Sequence, residues 1–133
     1  VAVGRGIPVL VEEDIVEMAF GELEGQLLSD FPACECIFSD PEHYVPLEGG
    51  ESYAQLDVRC RKLLEEILPP LEGRFHDVVL VSHGAFIRGV VCRVLDLPLK
   101  DFWDAPPQPN CSCTVLELKN GVCTLVEEGR VYG

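Results

Sequence analysis

The stretch that decides the predicted fold is Val78-Val79-Leu80-Val81-Ser82-His83-Gly84-Ala85-Phe86-Ile87-Arg88. Its opening apolar run is rich in Val, which is typical of a strand buried on both faces of a parallel sheet. After Gly84, apolar residues recur at helical spacing as far as Leu95, so a helix is predicted there. Ligand sites in such sheets lie beyond the carboxyl ends of the strands, which is where His83 and Gly84 stand.

The Ser-His-Gly corner has two interpretations that the residue chemistry leaves open. In the first, Gly84 lets an anion approach the first backbone N–H groups of the helix, and His83 lies in a phosphate or carboxylate site. In the second, His83 does no more than cap the helix that follows. A histidine suits either role, so both interpretations stay open at this point.

Composition limits the classes of partner. The chain has 133 residues, of which 47% are hydrophobic and 25% charged, as expected for a single soluble domain over residues 1–133. No run of eighteen apolar residues occurs, so no transmembrane helix is predicted. A net charge of −13 repels nucleic acid and anionic membranes, so neither is an expected partner.

Seven cysteines and no secretion signal indicate reduced thiols and a cytoplasmic protein. The pairs Cys34/Cys36 and Cys111/Cys113 raise the question of a zinc site. Their spacing is narrower than zinc sites use, and on a strand Cys111 and Cys113 would simply pack side by side. Neither a metal nor another cofactor is therefore predicted.

Alternating strand and helix signals predict an α/β layered fold. Residues 7–11 read as a strand, residues 27–38 as a helix, and Ser52 with Gln55 as a capping box that opens the clearest helix. Asn120-Gly121 between two β-rich runs predicts a hairpin. Residues 1–3 are interpreted as the end of a helix, residues 40–50 as a specificity loop, and residues 105–110 as a rigid extended loop.

Four segments, in order, resemble the signatures of the histidine phosphatase superfamily, the phosphoglycerate mutase-like proteins. They are Glu17-Met18-Ala19-Phe20-Gly21-Glu22-Leu23-Glu24-Gly25, Gly49-Gly50-Glu51-Ser52 followed by Arg59, Val81-Ser82-His83-Gly84-Ala85-Phe86-Ile87-Arg88, and Asn110-Cys111-Ser112. Leu23 stands where the family commonly has Trp. The resemblance covers nearly the whole chain and implies a three-layer α/β/α sandwich with a mostly parallel sheet.

One departure from the family is informative. The family's first strand carries an Arg-His-Gly motif whose histidine accepts the phosphoryl group, and no Arg-His-Gly occurs in this sequence. Arg5-Gly6 lacks the histidine and lies too close to Glu17. By this alignment the chain resembles the C-terminal portion of a family member that lacks the N-terminal strand and helix. An upstream segment or a second fragment is therefore an expected partner, and residues 1–133 alone are expected to be inactive.

The resemblance also implies a phosphohistidine mechanism and assigns roles to four residues. Glu17 would be the general acid or base, and His83 the second active-site histidine. Gly84 and Asn110 would bind the substrate, a small phosphorylated metabolite. The substrate itself, the choice between phosphatase and mutase, and self-association into a homo-oligomer all stay open.

The remaining candidates have simpler interpretations. His43 and His76 lie outside any motif and read as surface residues. Arg88 could reach a phosphate, but five residues into a helix it is expected to pair with a carboxylate instead. Ser82 lacks the Gly-x-Ser-x-Gly context of a hydrolase nucleophile. Two functional hypotheses remain: a phosphomonoester hydrolase completed by an upstream segment, or a catalytically inactive remnant that acts as a binding or structural module.

Overall fold

The fold is described by a computed structural model, which covers residues 4–104 and 108–132. The predicted helix end at residues 1–3, and residues 105–107 of the predicted extended loop, lie outside this range. Within it, the α-helices are α1 (Cys36–Ser39), α2 (Tyr53–Lys62) and α3 (Gly84–Val94), and the strands are β1 (Ser112–Lys119) and β2 (Val122–Val131). Short 3-10 turns connect them at Glu13–Ile15, Gly21–Leu23, Leu28–Asp30, Pro32–Cys34, Pro69–Leu71 and Leu99–Asp101.

Helix α2 begins as the sequence predicts. The Ser52 hydroxyl accepts the backbone N–H of Gln55 at 3.2 Å, and the Gln55 side-chain oxygen accepts the backbone N–H of Ser52 at 2.8 Å. This reciprocal pair satisfies two donors that the first turn would otherwise leave free. The helix continues through a π-helical turn, Leu63–Ile67, and the chain leaves it at Pro69, so the capping box and the proline stop are confirmed.

The core forms where α2 packs against α3. Gly89 of α3 lies so close to α2 that a β-carbon there would stand 2.7 Å from Cys60 Sγ. The missing side chain therefore sets the distance between the two helices. The largest fully buried side chains around this contact are Met18, Cys34, Tyr53, Leu56, Cys60, Leu63, Phe86 and Val91.

The predicted hairpin is also confirmed. Strands β1 and β2 pair antiparallel, and the turn residues Asn120 and Gly121 have φ angles of 53° and 75°. Positive φ at both positions is what a type I′ turn requires, and Asn-Gly adopts it readily. The Glu72 carboxylate accepts the N–H groups of both residues, at 2.7 and 2.8 Å, and thereby ties the hairpin to the end of the α2 segment.

The prediction of one helix over residues 27–38 is wrong. The region forms two 3-10 turns and then the single helical turn α1. Pro32 cannot donate a backbone hydrogen bond, and it disfavours the helical conformation for Phe31, which has φ −128° and ψ 68°. No side chain caps the turn that contains Ser29 and Asp30, so the start of a longer helix is not stabilised.

The predicted burial of residues 78–81 on both faces is wrong for the part of the chain described. Residues 77–83 adopt no regular secondary structure, and Val79 and Val81 are 70% and 83% exposed. The short strand predicted at residues 7–11 is not formed either, and Leu10 there is 87% exposed. A strand needs neighbours to cover it, and in the described ranges the only sheet is the β1–β2 pair. The parallel three-layer sandwich therefore stays a prediction.

None of the helices in residues 4–104 and 108–132 is both long and apolar enough to cross a membrane.

Candidate active site

The loop that carries Glu17 lies against the segment before α2. Phe20 and Gly50 form an isolated antiparallel bridge, and the Glu22 N–H donates to the Glu48 carbonyl at 3.2 Å. Gly21 has φ +57°, and a β-carbon there would collide with the Glu48 carbonyl oxygen, so only glycine fits. Two of the motifs identified in the sequence are thus packed together through their backbones.

The Glu17 carboxylate lies at the N-terminus of α3. One oxygen accepts the N–H of Phe86 at 3.1 Å, and the other accepts the N–H of Ala85 at 3.2 Å. The first N–H groups of a helix lack partners within the helix, and a carboxylate beside them is stabilising, typically by about 0.3–1 kcal/mol. His83 stands at the N-cap position, but its side chain makes no capping hydrogen bond. Glu17, and not His83, therefore caps the helix.

A cleft of about 410 Å³ opens beside this contact. Its lining residues are Glu17, Phe20, Gly84, Ala85, Arg88, Trp103 and Gln108. The structure thus brings Glu17 and Gly84 together from positions 67 apart in the sequence. His83 immediately precedes Gly84 and is exposed, but it is not among the residues that line the cleft.

The far wall of the cleft is fixed by hydrogen bonds and a cation–aromatic contact. Trp103 donates its indole N–H to the Ile37 carbonyl at 2.9 Å and to the Tyr53 hydroxyl at 2.8 Å. Arg88 is buried, with its guanidinium carbon 5.2 Å from the centre of the Trp103 ring, and it donates to the Phe102 carbonyl at 3.3 Å. The cleft therefore has an acidic side at Glu17 and a cationic, aromatic side at Arg88 and Trp103.

Gln108 closes the cleft from the side of the hairpin. Its amide NH2 donates to Glu128 at 3.0 Å, and its carbonyl oxygen accepts the Thr114 hydroxyl at 3.0 Å. The remaining predicted site residue, Asn110, is exposed in the turn before β1 and does not line the cleft. Its assignment to substrate binding stays a prediction.

The other two histidines lie on the surface. His43 is hydrogen-bonded to Asp40 at 2.8 Å and His76 to Asp77 at 2.9 Å, and these neighbours raise the pKa of each imidazole. The His43 side chain is 75% exposed and that of His76 is 97% exposed, so neither contributes to the cleft.

A larger groove between α2 and α3, of about 640 Å³, contains none of the predicted site residues. Both of its arginines are paired with Asp57, which bonds to Arg61 at 3.4 Å and to Arg93 at 3.3 Å. Within the described ranges, no group of three or more His, Cys, Asp or Glu side chains is arranged to hold a metal ion.

Residues 1–130 match the sequence profile of the histidine phosphatase superfamily, branch 1. The chain belongs to the histidine phosphatase superfamily. The match spans all four motifs, including those that place Glu17 beside Gly84. The solved structure of Bacillus stearothermophilus YhfR superposes with a TM-score of 0.88 at 26% identity, over 98% of this chain and 66% of that one. The family's α/β fold is thereby shared.

The chain is also similar to several named phosphatases. A putative phosphoserine phosphatase 2 of Hydrogenobacter thermophilus is 28% identical over 91% of this chain and 60% of its own length. The same organism's phosphoserine phosphatase 1 is 29% identical over 77% of this chain and 50% of its own. A mycobacterial glucosyl-3-phosphoglycerate phosphatase superposes with a TM-score of 0.75 at 23% identity, over 95% of this chain and 67% of that one, which supports the fold alone. The chain thus spans between half and two-thirds of the relatives it matches.

Sequence reasoning missed three parts of the cleft: Trp103, Gln108 and the backbone contact made by Arg88. Trp103 carries a signal that could have been used, since it is the only tryptophan and buried indoles need a partner for their N–H. Gln108 has no such signal, because its position depends on the hairpin that follows it.

Proposed function

We propose that this chain is the larger part of a phosphomonoester hydrolase that works through a phosphohistidine, with the phosphoryl-accepting histidine on a segment outside these 133 residues. The observation that carries the proposal is the Glu17 carboxylate, which lies at the N-terminus of α3 and lines the same cleft as Gly84. That arrangement joins an acid–base group to the end of a helix suited to anions.

The proposed reaction has two displacements. In the first, the upstream histidine forms an N–P bond while the ester P–O bond breaks, and Glu17 gives its proton to the leaving oxygen. In the second, water attacks phosphorus, Glu17 takes a proton from that water, and the N–P bond breaks to release inorganic phosphate. His83 stabilises the phosphoryl oxygens during both transfers, with Gly84 positioned to offer its backbone N–H.

The chain's own histidines support placing the nucleophile elsewhere. His43 and His76 are exposed, each is hydrogen-bonded to an aspartate, and neither borders the cleft. His83 is already assigned to stabilising the phosphoryl oxygens, so it is not the proposed nucleophile. The net charge of −13 also means that further cations are needed to hold a phosphoryl group, and the upstream segment would supply them.

Exposed apolar surface also supports an upstream segment as the partner of this chain. Residues 7–11 and 78–81 present large hydrophobic side chains to solvent, which soluble domains rarely do over contiguous patches. A strand and helix from upstream would cover these segments and complete a three-layer α/β/α sandwich with a mostly parallel sheet, as a single domain. The relatives' greater length leaves room for such a segment.

The proposed substrate is a small phosphorylated metabolite. The relatives named as phosphoserine phosphatases suggest an acidic phosphomonoester, and the Arg88 side of the cleft would suit its charge. Cys34, Cys60, Cys92, Cys111, Cys113 and Cys123 are free thiols, which supports a reducing compartment such as the cytoplasm.

The test uses turnover of an aryl phosphate by an extended protein that carries an upstream Arg-His-Gly segment from a relative. Residues 1–133 alone should turn over near background, and the extended protein, or a mixture of the two fragments, should be active. E17Q should lower kcat/KM by about 10²–10⁴-fold, the usual range for general acid–base catalysis. H83A should also lower it strongly, while H76A, an exposed site outside the cleft, serves as the matched control.

Two outcomes would count against the proposal. Activity of residues 1–133 alone that is lost in H43A or H76A would mean that the nucleophile is misplaced. An extended protein that folds, binds inorganic phosphate and never turns over would favour the alternative, a catalytically inactive binding module.

A further inference from the structure

Arg59 of α2 makes an unusually complete set of contacts. Its Nε and one terminal nitrogen donate to the two carboxylate oxygens of Glu51, each at 2.7 Å. Its terminal nitrogens also donate to the carbonyls of Asp14 at 2.8 Å, Val16 at 3.0 Å and Glu17 at 3.4 Å. A guanidinium has five N–H donors, so every donor of this largely buried side chain is used.

Glu51 holds the other end of the same loop. Its backbone N–H donates to the Ala19 carbonyl at 2.7 Å, and its carboxylate accepts the Ala19 N–H at 3.4 Å. The Arg59–Glu51 pair therefore fixes the backbone on both sides of Glu17. The Arg59 guanidinium also lies 5.1 Å from the centre of the Phe86 ring, and the Phe86 N–H is one of the two that Glu17 accepts.

We infer that Arg59, oriented by Glu51, is a positioning residue that fixes the Glu17 carboxylate at the N-terminus of α3. Its significance for catalysis rests on the proposed function, but the positioning itself does not. Arginine is required, because a lysine has three donors on one atom and cannot span a carboxylate and three carbonyls. Arg59 does not line the cleft, so it acts on the site through the loop that carries Glu17 and through its contact with the Phe86 ring.

The first experiment is amide hydrogen exchange on the 133-residue chain, which needs no activity. R59K should speed exchange of the Ala85 and Phe86 amides by about tenfold or more, since a hydrogen bond to a charged group is lost. E17A should have the same effect. The amide of Val91, in the middle of the same helix, should change much less. R61K is the matched control, because Arg61 is on the same helix, half-exposed, and bonded to Asp57 instead of to the loop.

A role confined to stability would speed exchange at Ala85, Phe86 and Val91 alike. If R59K is too unstable to measure, E51Q replaces it. This change removes the negative charge that orients Arg59 but leaves the Arg59 bonds to the loop carbonyls, and it should also speed exchange of the Ala85 and Phe86 amides. Protection of Ala85 and Phe86 in both variants equal to that in R61K would overturn the inference.

The second experiment uses the extended protein. R59K should lower kcat by about tenfold or more with little change in KM, as expected when the geometry of a reacting group is disturbed. In an E17Q background the same substitution should have almost no further effect, because it acts through Glu17. Full additivity of the two substitutions would contradict the inference. A wild-type extended protein without turnover would refute the proposed function but leave the exchange result valid.

Discussion

Gly89→Ala tests whether the contact between α2 and α3 limits the fold. In an ordinary helix interior this change stabilises by about 1 kcal/mol, since alanine favours helix over glycine. Here the new methyl would meet Cys60 Sγ at 2.7 Å, and Cys60 is fully buried and cannot move aside. Overpacking of this kind costs about 2–3 kcal/mol, the upper part of the usual range. The net expectation is a loss of about 1–2 kcal/mol in the free energy of unfolding.

The same substitution should change sign once the clash is removed. In a C60A background the sulfur is absent, so Gly89→Ala should stabilise by about 1 kcal/mol from helix propensity alone. The coupling between the two sites should then equal the overpacking cost, about 2–3 kcal/mol. The coupling is measured by urea denaturation of the wild type, G89A, C60A and the double variant. It is calculated from the four denaturation midpoints, with the m value held constant. Gly84→Ala in the same helix is the control, since its β-carbon would come no closer than 4.0 Å to the nearest atom, a Glu17 oxygen.

A Gly89→Ala effect of the same sign and size in both backgrounds would refute the reasoning. It would mean that Cys60 does not limit the approach of the helices.

Two further predictions concern buried polar groups. The Tyr44 hydroxyl is buried and has no hydrogen-bond partner in the described structure, so Tyr44→Phe should raise the urea midpoint by the equivalent of about 1–3 kcal/mol, and a fall in the midpoint would contradict this. Burial raises the pKa of the Cys60 thiol to about 12 from its usual 9, so Cys60 should stay protonated and resist alkylation by iodoacetamide at pH 8.5. Exposed Cys111 and Cys113 should be modified first, as read by peptide mass spectrometry, and labelling of Cys60 at the same rate would refute its burial.

Local signals predicted the elements that depend on local contacts. The capping box at Ser52 and Gln55 involves residues three apart, and the Asn120-Gly121 turn is set by its own backbone conformation. Such features form wherever the sequence encodes them, so periodicity and turn chemistry were sufficient. The helix predicted over residues 27–38 does not form for an equally local reason, because Pro32 disfavours the helical conformation of Phe31.

The features that were missed depend on distant partners. The apolar pattern of residues 78–81 indicates a segment that is stable when buried on both faces. A strand forms there only if neighbouring strands are present to pair with it. Likewise, no local pattern shows that Arg59 reaches the carbonyls of Asp14, Val16 and Glu17. Nor does one show that Trp103 bonds to the Ile37 carbonyl. The proximity of Glu17 to Gly84 was expected only from the family motifs, since 67 positions separate them.

The central claim is that phosphoryl transfer in this site uses a histidine from outside residues 1–133. The most direct measurement is to mix the extended protein with a phosphomonoester, quench in alkali to preserve phosphohistidine, and locate the phosphoryl group by peptide mass spectrometry. We predict that it lies on the histidine of the upstream Arg-His-Gly segment, and that it persists longer in E17Q because water is no longer activated to hydrolyse it. A phosphoryl group on His43, His76 or His83 would contradict the account.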